Sequence, residues 1–270
     1  MARWASLIET RRIENPVLLL DTGDFLSDNK TNRHEIANRF LFEGMERMGY
    51  DAIAVGETDI HFGYDKLMNG AKRHKLPLVS TNIIDRRKGK LLAAPYIIKH
   101  VGGRKTLFGR RGGLKVGIFS IILPQYIHSI DKAVSRYYEI TDTKLAAMEA
   151  VSTLRKKGCN IVVALSHQGW RNSLRFAGNV PGIDIVINAH RTHGNTHSEK
   201  EGMTLVVDTG LKRKSFTEIR IGFRGDTLTT EAFELGAIAL KQKDHPELIE
   251  IERRYEKEMR RQGLESFLGE

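Results

Sequence analysis

Carboxylates and imidazoles recur in this sequence just past the ends of apolar runs. After PVLLLD come Asp24 and Asp28, and after DAIAV come Glu57, Thr58, Asp59 and His61. After NIVVAL come Ser166, His167 and Gln168, and after IDIVINA come His190, Thr192, His193 and, further on, His197. Asp208 closes the run MTLVVD. Any one of these histidines has an ordinary role open to it, on the surface or satisfied in the core. Their joint placement is what points to a shared site. Oxygen and nitrogen donors without a thiolate suit Mn, Fe, Zn or Ni. Two such ions would polarise a phosphoryl oxygen and acidify a water, the chemistry of phosphate-ester hydrolysis.

The elements that must carry these residues alternate along the chain. Arg3 to Glu14 reads as a helix, PVLLLD as a buried strand, Asn32 to Met48 as an amphipathic helix and DAIAV as a second strand. The polar cluster VGETDIHFG then reads as a loop, followed by a helix over Tyr64 to His74 and a strand over LPLVSTNI. LKVGIFSI, NIVVALS, IDIVINA and MTLVVDTG read as strands, with a helix over Thr143 to Lys157. SFTEIRIGF and TLTTEAFEL form a closing antiparallel pair, and His245 to Arg261 a highly charged terminal helix. Continuous apolar strands separated by helices imply a sheet covered on both faces. In open α/β sheets, sites gather beyond the carboxyl ends of the strands.

Bulk properties narrow the classes. The 270 residues carry 43 Lys and Arg against 33 Asp and Glu, a formal charge of +10 that favours anionic partners. The excess is scattered, with one concentration from His100 to Lys115 whose interleaved glycines suit a loop or hairpin tip. A nucleic-acid-binding reading rests on charge alone and ranks last. The single Cys159, ahead of an apolar run, rules out an intrachain disulfide and reads as a core residue. No window is apolar enough to span a bilayer. The amino terminus has no apolar h-region or cleavage pattern, so a cytoplasmic location is expected; a truncated start would instead fit a periplasmic or exported protein.

The motifs LLLDTGDFLSDN, MGYDAIAVGETDIHFG, LVSTNI, IVVALSHQG and IDIVINAHRTH, in this order, resemble the calcineurin-like metallophosphoesterases. The resemblance is to the amino-terminal domain of the 5'-nucleotidase type, where GD, GNHEFDFG, SANI, LSHLG and GGHSH stand at these places. It implies a four-layer α/β/β/α sandwich over residues 1–240, with 241–270 as a charged carboxyl-terminal helix. Carried over residue by residue, it implies Asp24, Glu57, His167 and His190 as metal ligands, with Glu57 where the family has asparagine. It also implies Asn82 near the substrate. The family's first strand normally supplies an Asp–His pair to a second metal. Here MARWASLIETRR aligns with the helix after that strand, so one ion rather than two is expected. Thr58 stands in the place of the histidine that protonates the leaving group, which leaves His61 or His193 as candidates for that proton. Two function classes follow. One is a metal-dependent phosphoesterase of mono- or diesters, nucleotides included, with an atypical and incomplete dinuclear site. The other is a non-catalytic binding or scaffold protein on the same fold.

Overall fold

The computed structural model describes residues 1–106, 109–190, 196–209, 216–224, 227–235 and 241–265. Its centre is two facing sheets. The larger has six strands: β6 (Ile97–Val101), β9 (Leu114–Ile122), β11 (Ile161–His167), β12 (Ile185–Ala189), β13 (His197–Glu201) and β14 (Thr204–Asp208), in the order β13-β14-β12-β11-β9-β6. Its four inner strands run parallel, and both edge strands are antiparallel to their neighbours. The smaller sheet is parallel, with β1 (Leu20–Asp21), β2 (Ala52–Ala54) and β3 (Leu78–Val79) side by side.

Side-chain alternation along these strands builds the layers. In β11, Ile161, Val163 and Leu165 face the smaller sheet and pack with Ala52, Ala54 and Val79. Val162 and Ala164 face the other way, onto Ala147, Val151 and Leu154 of α6 (Thr143–Lys156) and Phe176 and Ala177 of α7 (Trp170–Asn179). On the far side of the smaller sheet, Ile53 packs with Phe42 and Met45 of α2 (Asn32–Met48) and Leu67 of α4 (Tyr64–Arg73). The inner strands are covered on both faces, which is why their runs are continuously apolar. The result is the expected helix/sheet/sheet/helix sandwich. The last helix, Pro246–Arg261, turns Leu248 and Ile251 onto Ala2, Ala5 and Ile8 of α1 (Ala2–Glu14), and Tyr255 and Met259 onto Ile36 of α2. No described helix is long and apolar enough to cross a membrane.

Several elements differ from the sequence reading. PVLLLD contributes only Leu20 and Asp21 as strand; just before them the Leu19 N–H donates to the Asp51 side chain at 3.0 Å instead of to a ladder partner. LPLVSTNI is broken: β3 ends at Val79, and β4 (Ile83–Asp85) joins β10 (Tyr138–Ile140) and β5 (Lys90–Leu91) in a separate antiparallel sheet. Side chains replace ladder bonds at the break, with Thr81 Oγ1 donating to the Pro95 carbonyl at 2.6 Å. The cluster after DAIAV is a short helix, α3 (Glu57–Phe62), rather than a loop. Within the basic segment, β7 (Arg104–Thr106) pairs antiparallel with β8 (Gly109–Arg111). The closing pair forms as expected, Thr217–Arg224 against Thr227–Glu234.

Candidate metal centre

Two pairs of parallel strands, β1 with β2 and β11 with β12, deliver their carboxyl ends to one edge of the sandwich. His167 is the last residue of β11 and sits opposite Ala189, so His190 follows directly beside it. Asp24 and Glu57 each lie three residues past their strands. Among the described residues, one group of His, Cys, Asp and Glu side chains converges closely enough to hold an ion: Asp24, Glu57, His167 and His190, with ligand atoms all within 4.8 Å of one another. The cluster is the set that the sequence resemblance picked out.

The backbone holds this convergence at some cost. Asp24 and His190 both have left-handed backbones, φ 60° and 65°, a region that residues with a Cβ rarely occupy. The Asp24 and Glu57 loops interlock. A Cβ on Gly56 would fall 2.1 Å from Asp24 Oδ1, so only glycine admits this approach. Asp59 ties the two loops together from below. Its Oδ2 accepts from the backbone N–H of Asp24 at 2.8 Å and of Gly56 at 2.9 Å, and its Oδ1 from Leu26 N–H at 2.9 Å. Asp59 is fully buried. The sequence reading assigned it no role, although its place three residues after the helix-capping Gly56 is a capping-box signal.

The chemistry of the donors fits a divalent cation. His167 Nδ1 donates to the Thr22 carbonyl at 2.9 Å. A carbonyl only accepts, so in the neutral ring Nδ1 carries the proton and Nε2 presents its lone pair. That Nε2 lies 3.2 Å from Asp24 Oδ2 and 3.0 Å from Glu57 Oε2, while His190 Nδ1 lies 2.8 Å from Glu57 Oε1. Yet Glu57 Oε2, His167 Nε2 and His190 Nε2 are buried without a hydrogen-bond partner. The contacts are short but not aligned as hydrogen bonds, the pattern of donor atoms gathered for an ion. Burial disfavours charge on His167, but the Asp24 and Glu57 carboxylates outweigh it and raise the imidazole to about 10. Burial likewise opposes ionisation of Glu57, and the His167 and His190 imidazoles close beside it overcome that, holding the carboxyl far below its usual range. A cluster that binds a proton this firmly is a cation site by its electrostatics.

The other candidate residues are placed differently. His61 is on α3, one turn beyond Thr58, with Nδ1 3.1 Å from Asp28 Oδ2. Thr58 itself is committed to the scaffold: its N–H donates to Asp24 Oδ1 at 2.9 Å and its hydroxyl to the Leu26 carbonyl at 3.0 Å. His193 and Thr192 lie outside the described residues. Asn82 is buried, and its amide is engaged in stitching. Nδ2 donates to the carbonyls of Ile122 and Thr141, and Oδ1 accepts from Ile122 N–H. These bonds make Asn82 a join between β9 and the segment after β10.

Comparison with known proteins supports both the fold and the resemblance. No family model matches the chain. A 2',3'-cyclic-nucleotide 2'-phosphodiesterase/3'-nucleotidase of Salmonella typhimurium is 29% identical over 212 residues, covering 70% of this chain and 32% of that protein. The chain thus spans about a third of the length of this curated relative. A sulfate thiohydrolase, SoxB, of Thermus thermophilus superposes with a TM-score of 0.81 at 17% identity, over 96% of this chain and 47% of that one. The calcineurin-like phosphoesterase YfkN of Bacillus subtilis gives 0.75 at 19% identity, over 96% and 88% of the two chains. The homologues are nucleotide phosphoesterases, and the structural neighbours share this sandwich.

Proposed function

We propose that this chain, a homologue of the nucleotide phosphoesterases built on the calcineurin-like metallophosphoesterase fold, hydrolyses phosphate esters with one divalent cation held by Asp24, Glu57, His167 and His190. The observation that carries the reading is the set of buried, partnerless donor atoms on Glu57, His167 and His190. Two carboxylates and two imidazoles suit Mn, Fe, Zn or Ni. Such a cation supplies Lewis-acid polarisation of a phosphoryl oxygen and acidifies a water. Titrated with Mn²⁺ in a calorimeter, the chain is expected to bind close to one ion. Stoichiometric binding of two would show that a further residue, His193 or Asp28 among them, completes a second site.

Proton transfer to the leaving group falls to His61. Thr58 has spent its hydroxyl proton on the Leu26 carbonyl. Asp28, as a carboxylate, accepts from His61 Nδ1, which leaves Nε2 to take or give a proton. Assistance of this kind contributes about 10²–10⁴-fold when the leaving group is poor. His61 stands one helical turn from the usual position, so nucleoside alkoxides should leave slowly, while a nitrophenolate needs no proton.

Activity is therefore expected to favour nitrophenyl phosphate esters over nucleoside monophosphates. Thr58→His is expected to narrow that gap, and His61→Gln to widen it. Efficient hydrolysis of AMP by the parent chain would overturn the assignment. Absence of turnover on either substrate, with Mn²⁺ bound, would favour the alternative of a non-catalytic binding protein on the same fold.

A further inference from the structure

A tyrosine ring packs against two of the imidazoles in the cation cluster. Tyr126 lies in the 3-10 turn Pro124–Ser129, just past the carboxyl end of β9, whose Ile122 pairs with His167. Its ring lies along the His190 imidazole, with centroids 4.0 Å apart and planes 30° from parallel. It meets His167 edge-on at 6.4 Å and 85°. The ring is itself fixed at both ends. The hydroxyl donates to the Gln168 carbonyl at 3.1 Å, and the backbone is held by Tyr126 N–H to Leu123 and by Ser129 Oγ to the Tyr126 carbonyl.

We propose that Tyr126 is a positioning residue for the cation site, its ring fixing the plane of the His190 imidazole against Glu57. This rests on the assignment of His190 as a ligand. His190 needs such a wall. Its backbone is in the left-handed region, and its other side-chain contacts are Nδ1 with Glu57 Oε1 at 2.8 Å and an edge-on approach of the His167 ring at 5.1 Å, so the Tyr126 ring supplies the stacked face. A tilted stack restrains the ring without consuming either ring nitrogen, which a hydrogen-bonding neighbour would do. The tyrosine π-face also favours the positive charge an imidazole gains when it ligates a cation. A residue that orients a ligand without touching the metal typically changes affinity by about 10–100-fold.

The test is Mn²⁺ affinity measured by calorimetry on the whole chain, with Tyr126→Leu and Tyr126→Phe beside the parent and His167→Ala. Leucine keeps apolar bulk but has no π-face, so Tyr126→Leu is expected to bind Mn²⁺ roughly tenfold more weakly. Phenylalanine keeps the stack and loses only the bond to Gln168, so Tyr126→Phe is expected to match the parent. Parent-like affinity in Tyr126→Leu would overturn the inference, as would Tyr126→Phe falling as far as Tyr126→Leu, since the hydroxyl would then be the part that matters. Should Tyr126→Leu not fold, Tyr126→Met, which fills the same space flexibly, takes its place with the same two outcomes. If the parent binds no Mn²⁺, the cation assignment fails and this inference with it. If the parent binds, His167→Ala does not, and Tyr126→Leu binds normally, only the role of Tyr126 is lost.

Discussion

Replacing His167 by alanine is expected to abolish Mn²⁺ binding while leaving the chain folded. His167 is at the end of the central strand of the larger sheet, buried, with its Nδ1 proton already spent on the Thr22 carbonyl. Its Nε2 is the atom that stands close to both Asp24 and Glu57, so it is the centre of the proposed ligand set. Changes to outer residues alone cost about 10–100-fold in affinity, and loss of a direct ligand from a set of four exceeds that. The substitution also leaves two carboxylates facing each other without their shared imidazole, which favours protonation of one of them over capture of a metal.

The same side chain predicts a proton signature. With no cation bound, its proton affinity is raised to about 10 by Asp24 and Glu57, so His167 is charged at neutral pH. A cation must displace that proton. Mn²⁺ binding near pH 7 should therefore release about one proton, and apparent affinity should rise roughly tenfold per pH unit until pH approaches the folded value. The sign is fixed: lower pH favours the proton, higher pH the metal. Calorimetry in buffers of different ionisation enthalpy reads the proton directly. Binding that neither releases a proton nor changes in His167→Ala would place the cation elsewhere.

Much of this fold is legible in the sequence because both faces of each inner strand are covered. Ile161 to Leu165 and Ile185 to Ile187 are apolar on both parities, and each run ends within two residues of the strand's end. Edge strands are harder to see. Strand β13, His197–Glu201, is polar and mostly exposed, and its strand character comes from pairing with β14 rather than from its own composition. Helix α7 was equally hidden. The face it buries includes Ser173 beside Phe176 and Ala177, and the serine satisfies itself through Ser166 and Asn188. An apolar count does not register a face of that kind.

The candidate site divides along similar lines. Residues that follow an apolar run, such as Asp24, Glu57 and His190, are visible because strand ends are visible. Roles set by side-chain partners are not. Asn82 is visible as a polar residue after a strand, but its bonds to main chain 40 and 59 residues away are not. Thr58 reads as a lost histidine, while its hydroxyl donates to the Leu26 carbonyl of the loop that carries Asp24.

Asp59 is the residue for which that hidden geometry matters most, and Asp59→Ala is expected to be the most destabilising single change near the site. Three backbone N–H groups, of Asp24, Leu26 and Gly56, converge on its two oxygens. Alanine would leave them buried without acceptors, at roughly 1–3 kcal/mol each. Part of that loss is offset, because burial and the neighbouring Asp24 charge make the Asp59 carboxylate itself costly, which the upward shift of its proton affinity records. A net cost of about 3–4 kcal/mol remains in the range of a broken buried network. In a chain of this size that lowers the melting temperature by about 10 °C. Asp59→Asn should do less damage: its single carbonyl can serve Asp24 and Gly56, and only Leu26 N–H then meets an amide donor. Cation affinity should fall in the same order, alanine below asparagine below parent, because the two loops that carry Asp24 and Glu57 lose a common anchor rather than a ligand. Thermal unfolding without metal, followed by Mn²⁺ titration below each variant's melting temperature, separates the two effects. Asp59→Ala melting with the parent would mean that the N–H groups find water instead, and that the loops hold their shape without the carboxylate.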